Sequence, residues 1–113
     1  MKLAIVMRQD LKMGKGKMCV QAGHASVIAY RMASGTHEGE EWFESGQHKI
    51  VLKCADEYEM QKIGQMAQLN GLQVNPVVDF GLTQVEPNTT TCIVIGPDSD
   101  ERIDAVTRGM SLL

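Results

Sequence analysis

The feature that most limits the fold is an uninterrupted apolar run near the start of the chain, LAIVM at residues 3–7. A strand with one face in water alternates apolar and polar residues, whereas this run is apolar at every position. It therefore predicts a strand that is buried on both faces. The chain should accordingly fold as an α/β domain, with helices on both faces of its sheet.

Strand and helix patterns follow one another in the order β-α-α-β-α-β-β-α. In a chain of 113 residues, this order predicts a single domain over residues 1–113, built on a mixed four-stranded sheet. Pro76 lies within the third strand pattern and predicts an edge strand or a bulge there. The predicted strands are 3–7, 49–54, 73–79 and 91–95.

The predicted helices are delimited by residues that favour helix ends. The first helical run covers 18–33, with a stripe of small residues at 22, 26, 29 and 33 that should pack on the sheet. Thr36 can cap a second short helix, Asp56 with Glu59 a third, and Asp98 with Glu101 a fourth. Glycines 35, 46, 71 and 109 stand where these helices should end.

Composition favours a cytoplasmic protein that needs no metal and no other cofactor. The first apolar run is too short for a secretory signal, and no other run approaches the length of a membrane span. Cys19, Cys54 and Cys92 are widely spaced in apolar stretches and lack the spacing of zinc ligands. We expect them to be reduced core residues, and we expect Trp42 and Phe43 to be core residues as well.

A cluster of lysines surrounds the start of the first predicted helix. Residues 1–31 hold six basic side chains and one acidic one, although the whole chain has a net charge of −3. Lys12, Lys15 and Lys17 alternate with Gly14 and Gly16, so cations and free backbone N–H groups meet at the positive end of the helix dipole. This pattern predicts a phosphate site with about four contacts, drawn from these lysines, Lys2 and Arg8. The alternative is a lysine-rich turn that is merely solvated.

Two further groups of polar residues suggest chemistry. Lys17, Gln21 and His24 lie at steps of four and three, on one face of the predicted helix. Asp79 ends the third strand pattern, and Thr83 and Thr91 follow it. If the first and third strands are parallel, Asp79 and Lys17 share one edge of the sheet. A carboxylate, an amine and hydroxyls suit hydrolysis. The alternative is a turn aspartate followed by threonines that favour a strand.

Several separate blocks follow one another over nearly the whole chain: RQDLKMGKGKMCVQAGHA, a tryptophan near Trp42, GQHKIVLK, VDFGLTQVEPNTTT, VIGP and IDAVTRGMSLL. In this order they resemble the archaeal and eukaryotic class of peptidyl-tRNA hydrolases. The resemblance implies a small α/β hydrolase that cleaves the ester between a peptide and the tRNA 3′ ribose without a metal. Peptidyl-tRNA would then be its substrate, and no membrane partner is implied.

The resemblance also assigns residues by position. It implies a catalytic set of Lys17, Gln21, Asp79, Thr83 and Thr91. The residues that we expect to contact tRNA phosphate or the acceptor end are Arg8, Lys12, Lys15, Lys17 and His24.

Some positions depart from the pattern of the family. Leu82 stands where many members have arginine, which could weaken a phosphate contact, and Asn88 replaces a glycine. Asparagine tolerates a left-handed backbone, so the turn should keep its shape. Gly23 stands inside the first helix, where glycine is costly, and suggests close packing.

The sequence is compatible with two other functions, a non-catalytic RNA-binding module and an interaction protein that uses Trp42 and Phe43. Both the hydrolase and the RNA-binding module need the lysines. The hydrolase alone needs Asp79, because a carboxylate beside a phosphate groove hinders simple binding. The sequence leaves open whether the chain forms a homodimer.

Overall fold

The computed structural model describes residues 1–80 and 85–113 and contains the predicted elements in the predicted order. The elements are β1 (Lys2–Arg8), α1 (Lys15–Ala33), α2 (His37–Glu44), β2 (Lys49–Cys54), α3 (Glu57–Leu69), β3 (Val74–Asp79), β4 (Thr89–Asp98) and α4 (Asp100–Thr107). Within the described ranges, none of these helices combines the length and the apolar character that crossing a bilayer requires.

The strands form a mixed sheet in the order β2-β1-β4-β3. β1 is parallel to β2, and β4 is antiparallel to both β1 and β3. β1, β2 and β3 therefore run in the same direction, and their carboxyl ends meet at one edge of the sheet. β3 is an edge strand, as Pro76 predicted.

Side chains that alternate along the central strands form a core on each face of the sheet. Leu3, Ile5 and Met7 pack with residues of α1 and α2, whereas Ala4 and Val6 pack with residues of α3 and α4. From Leu3 onward every residue of β1 is buried. The prediction of a strand covered by helices on both faces is confirmed.

Helix α1 begins three residues earlier than predicted, at Lys15, with Gly14 as its N-cap. Lys15 and Lys17 consequently belong to the first turn of the helix instead of a preceding glycine turn. No acidic residue of α1 lies in that turn, so the charge of the exposed Lys15 adds to that of the dipole. The positive helix end that the lysine pattern predicted is present.

The inner face of α1 differs slightly from the predicted small-residue stripe. Ala29 and Ala33 are buried as expected, but the fully buried positions before them are Gln21 and Ala25. Residues 22 and 26 are only half-buried. The helix is therefore rotated so that a polar side chain, Gln21, faces the sheet.

The predicted helix caps are correct for α2 and α3 and wrong for α4. Thr36 accepts a hydrogen bond from the backbone of Gly39, and Asp56 accepts one from Glu59. At α4 the cap is Ser99, because β4 continues as far as Asp98, which pairs with Lys2. The fourth strand is thus longer than the predicted 91–95.

The cysteines and aromatic residues follow the core prediction in part. Burial raises the pKa of the Cys54 thiol to about 11 and that of Cys92 to about 12, whereas Cys19 is exposed on α1. Trp42 is buried, and its Nε1 donates to the backbone oxygen of His48 at 2.7 Å. Phe43 is 42% exposed, so its assignment to the core is wrong.

The expectation that Gly23 marks close packing is also wrong, since a Cβ at this position would meet no atom within 4 Å. Gly23→Ala should therefore raise the free energy of unfolding by about 0.5–1 kcal/mol, because alanine fixes helical backbone at a lower entropic cost. Chemical denaturation measures the change. The matched control is Gly39→Ala, which should destabilise because its Cβ would clash with the backbone of Ala33. Destabilisation by Gly23→Ala would contradict the open geometry.

Candidate active site

Lys17 and Asp79 meet at the edge of the sheet where the parallel strands end. Lys17 lies in the first turn of α1, and Asp79 is the last residue of β3. The Lys17 Nζ is 3.0 Å from the Asp79 Oδ2, and the two side chains are only 7% and 9% exposed. This ion pair is shielded from solvent, so each charge depends on the other. The proximity that the strand directions predicted is confirmed.

The direction of the Asp79 side chain follows from the alternation of β3. Val77, two residues earlier, packs in the core between the sheet and α1. Residues i and i+2 of a strand share a face, so Asp79 points toward α1 as well. The backbone oxygen of Asp79 accepts a hydrogen bond of 2.7 Å from the backbone N–H of Asn88. This bond holds Asn88, just before β4, next to the end of β3.

A β-bulge places Thr91 on the same face. Val77 pairs with Cys92 and Val78 pairs with Thr90, which leaves Thr91 as the extra residue of β4. In a regular strand Thr91 and Cys92 would point to opposite faces, but the bulge turns both toward α1. The Thr91 hydroxyl donates to the Gln21 Oε1 at 2.6 Å.

That hydrogen bond fixes the amide of Gln21, whose side chain is among the largest fully buried ones. Because Oε1 accepts from Thr91, the amide nitrogen is the atom oriented to donate elsewhere. Lys17, Gln21 and His24 line one groove, as their spacing predicted, although Gln21 is buried and His24 is exposed. The structure thus brings Lys17, Gln21 and Asp79 to one groove, and Thr91 is hydrogen-bonded behind Gln21.

Thr91→Val should lower the free energy of unfolding by about 1–3 kcal/mol, because it leaves the buried Gln21 oxygen without its donor. Thr91→Ser keeps the hydroxyl and serves as the control, with a smaller loss. Thermal and chemical melts of both variants measure the difference. If the valine variant is as stable as the serine variant, the Thr91 hydroxyl does not hold Gln21 in place.

A groove of about 490 Å³ opens beside the ion pair. Its polar lining comes from Lys17, Gln21, His24 and Asp79, and the rest of its wall is apolar. The apolar lining residues are Val20, Val27, Ile28, Val77, Val78 and Phe80. Sequence reasoning missed this wall, although Val20 and Val27 lie off the buried stripe of α1 at a spacing of two helical turns, which is a visible signal of an exposed apolar face.

Some of the cations that were predicted to contact phosphate are exposed, and others are already paired with a carboxylate. Lys12 and Lys15 are exposed, and neither forms a salt bridge with any residue in the described ranges. Lys17 is paired with Asp79, and Lys2 is paired with Asp104 near the beginning of β1, at the opposite edge of the sheet. The exposed part of the cluster is therefore smaller than the sequence suggested.

Arg8 is nearly buried, and its charge is already matched. Its Nε and one terminal nitrogen bond the carboxylate of Asp10 at 3.0 and 2.8 Å, and its other nitrogen donates to the backbone oxygen of Thr90. The hydrogen bond with Asp10 raises the pKa of Arg8 and lowers that of Asp10. The phosphate contact of Arg8 stays a prediction; in this structure its side chain joins the end of β1 to β4.

Two of the predicted positions, Leu82 and Thr83, lie outside the described residues. Asn88 has a φ of 64°, which confirms that asparagine adopts the left-handed turn expected there. In the part of the chain that the structure describes, no three His, Cys, Asp or Glu side chains come close enough to hold a metal ion. The polar groups that the site itself offers are an amine, a carboxylate, an amide and a hydroxyl.

Comparison with known proteins places these residues in a family. The model of the family described as "Peptidyl-tRNA hydrolase PTH2" matches residues 1–113. The chain is 48% identical to a peptidyl-tRNA hydrolase of Haloquadratum walsbyi over 112 residues, covering 99% of each chain. It is 44% identical to one of Methanopyrus kandleri over 113 residues, covering 99% of this chain and 97% of the relative. It is 43% identical to one of Methanocaldococcus jannaschii over the full length of both chains.

Proposed function

Since the chain belongs to the peptidyl-tRNA hydrolase PTH2 family, we propose that it hydrolyses its substrate at the Lys17–Asp79 pair. The protein is a peptidyl-tRNA hydrolase, an enzyme that acts on the ester bond of peptidyl-tRNA. The observation that carries the choice of site is the shielded ion pair at the head of a groove. A buried amine and carboxylate are costly to maintain, and their position fits the needs of ester hydrolysis.

In the proposed reaction, Asp79 orients a water molecule toward the ester carbonyl carbon and accepts a proton as the water oxygen attacks. The C–O π electrons move onto the carbonyl oxygen, and the resulting oxyanion is stabilised by the Lys17 ammonium and the Gln21 amide. The intermediate then collapses, the bond to the ribose 3′ oxygen breaks, and Asp79 returns its proton to that oxygen. The products are a peptide carboxylic acid and a tRNA with a free 3′ hydroxyl.

Thr91 acts through Gln21 in this scheme, and Thr83 is proposed as a further hydroxyl of the site from the family resemblance. The bulge and the 2.6 Å hydrogen bond support a positioning role for Thr91. His24 lies exposed on the groove wall, where we propose that it contacts the acceptor end of the tRNA.

We propose that Lys12 and Lys15 contact phosphates of the tRNA, because both are exposed beside the positive end of α1. Arg8 is left out of this set since its guanidinium is bound to Asp10. An anion at this position would also relieve the repulsion between the lysines and the helix dipole.

Two phosphate contacts predict that the logarithm of tRNA affinity falls with the logarithm of salt at a slope of about −1.4. Lys15→Ala should flatten this slope by about 0.7 and leave the chemical step nearly unchanged. Binding titrations at several salt concentrations measure both values. Lys62→Ala, which removes an exposed lysine from α3 on the other face, is the control and should not change the slope. A slope near zero for the unaltered protein would mean that the lysines are only solvated.

The rival function is an RNA-binding module without catalysis. An aspartate beside Lys17 weakens simple phosphate binding, so the pair favours the hydrolase. The discriminating experiment incubates the protein with an N-acetyl aminoacyl-tRNA and follows release of the acyl group. Release that depends on Asp79 supports the proposal, whereas binding without release supports the rival.

We also propose that the enzyme works in the cytoplasm, where translation produces peptidyl-tRNA. The free thiols of Cys19, Cys54 and Cys92 support a reducing compartment.

A further inference from the structure

We propose that the apolar groove beside the Lys17–Asp79 pair binds the side chain of the amino acid that is esterified to the tRNA. The enzyme would then hydrolyse esters of large apolar amino acids faster than esters of glycine or acidic amino acids. This inference rests on the proposed function, because it takes the ion pair as the place where the ester is cleaved.

The groove carries an unusual amount of exposed apolar surface. Val20 and Val27 of α1 are 52% and 69% exposed, and Phe80, directly after β3, is 76% exposed. All three line the same groove, together with the half-buried Ile28. Single exposed apolar side chains are normal, but several around one concave site mark a binding surface.

The charges of the groove argue for the acyl part of the substrate and against its phosphates. Its charged lining consists of Lys17 and Asp79, which neutralise each other at 3.0 Å. A phosphate in the groove would meet a carboxylate and apolar walls. It would lose its hydration, and few hydrogen bonds or opposite charges would compensate for that loss. For an apolar side chain, in contrast, transfer from water into the groove is favourable.

Helix geometry separates the two halves of the substrate. Lys15 and Lys17 are two residues apart, so their side chains leave α1 in nearly opposite directions. Lys17, Val20 and His24 line the groove, whereas Lys15 belongs to the other side, beside Met18 and Cys19. The ester joins the tRNA to the acyl group. If phosphates lie at Lys15, the acyl group therefore extends from the ester into the groove.

The terminal adenine of the tRNA is the competing occupant. The groove volume of about 490 Å³ would admit either group. A base can stack on Phe80 or His24, but its recognition also needs hydrogen bonds to its edge, and most of the groove wall offers none. Apolar walls that adjoin the scissile bond match an amino-acid side chain better.

The test compares N-acetyl-leucyl, N-acetyl-glycyl and N-acetyl-aspartyl esters of one tRNA in single-turnover assays. With enzyme in excess of the ester but below saturation, we expect the leucyl ester to be hydrolysed about tenfold faster than the other two, the low end of the discrimination that apolar pockets achieve. Val27→Asp should bring the ratio of leucyl to glycyl rates close to one. The matched control is Met32→Asp on the same helix, since Met32 is 59% exposed but does not line the groove; this variant should keep the ratio.

The outcomes separate this inference from the proposed function. Equal rates for the three esters would overturn the groove assignment while leaving hydrolysis at the ion pair intact. Absence of hydrolysis for every ester would instead overturn the proposed function. If free adenosine inhibits the unaltered enzyme and Val27→Asp abolishes that inhibition, the groove holds the terminal adenine and the inference is wrong.

Discussion

Asp79→Asn should lower the single-turnover rate of peptidyl-tRNA hydrolysis by about a hundredfold or more, the scale of a positioned acid or base. Asparagine keeps the size of the side chain but removes the charge that accepts the proton of the attacking water. Binding of tRNA should hold or improve, because a negative charge beside the phosphates is lost. The measurement is acyl release at saturating enzyme, together with a separate binding titration.

The structure adds a cost that this experiment has to control. The Lys17 side chain is only 7% exposed, so loss of the Asp79 charge leaves a shielded ammonium without this counter-charge. Removing one partner of a buried pair costs about 3–5 kcal/mol, less where hydrogen bonding survives. Asp104→Asn breaks the ion pair of Lys2 at its solvent-exposed partner, and it should change stability by no more than about 1 kcal/mol and leave the rate unchanged. A folded Asp79→Asn enzyme within about threefold of the parent rate would show that Asp79 is only a turn residue.

Lys17→Ala should reduce the hydrolysis rate by about a hundredfold, the usual loss when one donor to a developing oxyanion is removed. Its effect on tRNA binding should be smaller, because Asp79 already neutralises the Lys17 charge in the ground state. Assays at saturating enzyme separate the two effects, since saturation removes the binding contribution. Lys15→Ala is the matched control, because it removes a lysine from the same helical turn that does not pair with Asp79.

A different result for Lys17→Ala would change the assignment. If the saturated rate is kept and only the salt-dependent affinity falls, Lys17 binds phosphate and does not stabilise the transition state. Stability must be measured in parallel, because the variant leaves the Asp79 carboxylate, 9% exposed, without the ammonium.

The elements that the sequence predicted well are those with local causes. The apolar run at 3–7 required cover on both faces, and the caps Thr36 and Asp56 act within three residues. The bounds of β2 match the predicted 49–54, because the strand pattern ends just before Asp56, which caps the next helix. The start of α1 was misplaced, because glycine and lysine give no cap signal that distinguishes a turn from the first helical turn.

The parts of the site that escaped prediction depend on contacts between distant residues. Arg8 was expected to bind phosphate. The sequence shows its neighbour Asp10 but not its hydrogen bond to the backbone of Thr90, because the two residues are 82 positions apart. The bulge at Thr91 arises from the register between β3 and β4, which no single strand pattern shows. The meeting of Lys17 with Asp79 was predictable only on the condition that β1 and β3 run in the same direction.

A double-mutant cycle on Lys17 and Asp79 tests most directly the claim that the two side chains act as one catalytic unit. Single-turnover rates are measured for the parent, Lys17→Ala, Asp79→Asn and the double variant, each with its fold checked by thermal melts. Groups that serve the same transition state show strongly non-additive losses. The account predicts that the double variant is within about threefold of the slower single variant. If each single variant loses about a hundredfold and the double variant loses about ten-thousandfold, the losses multiply. That result would show that the two residues act independently and would contradict the account.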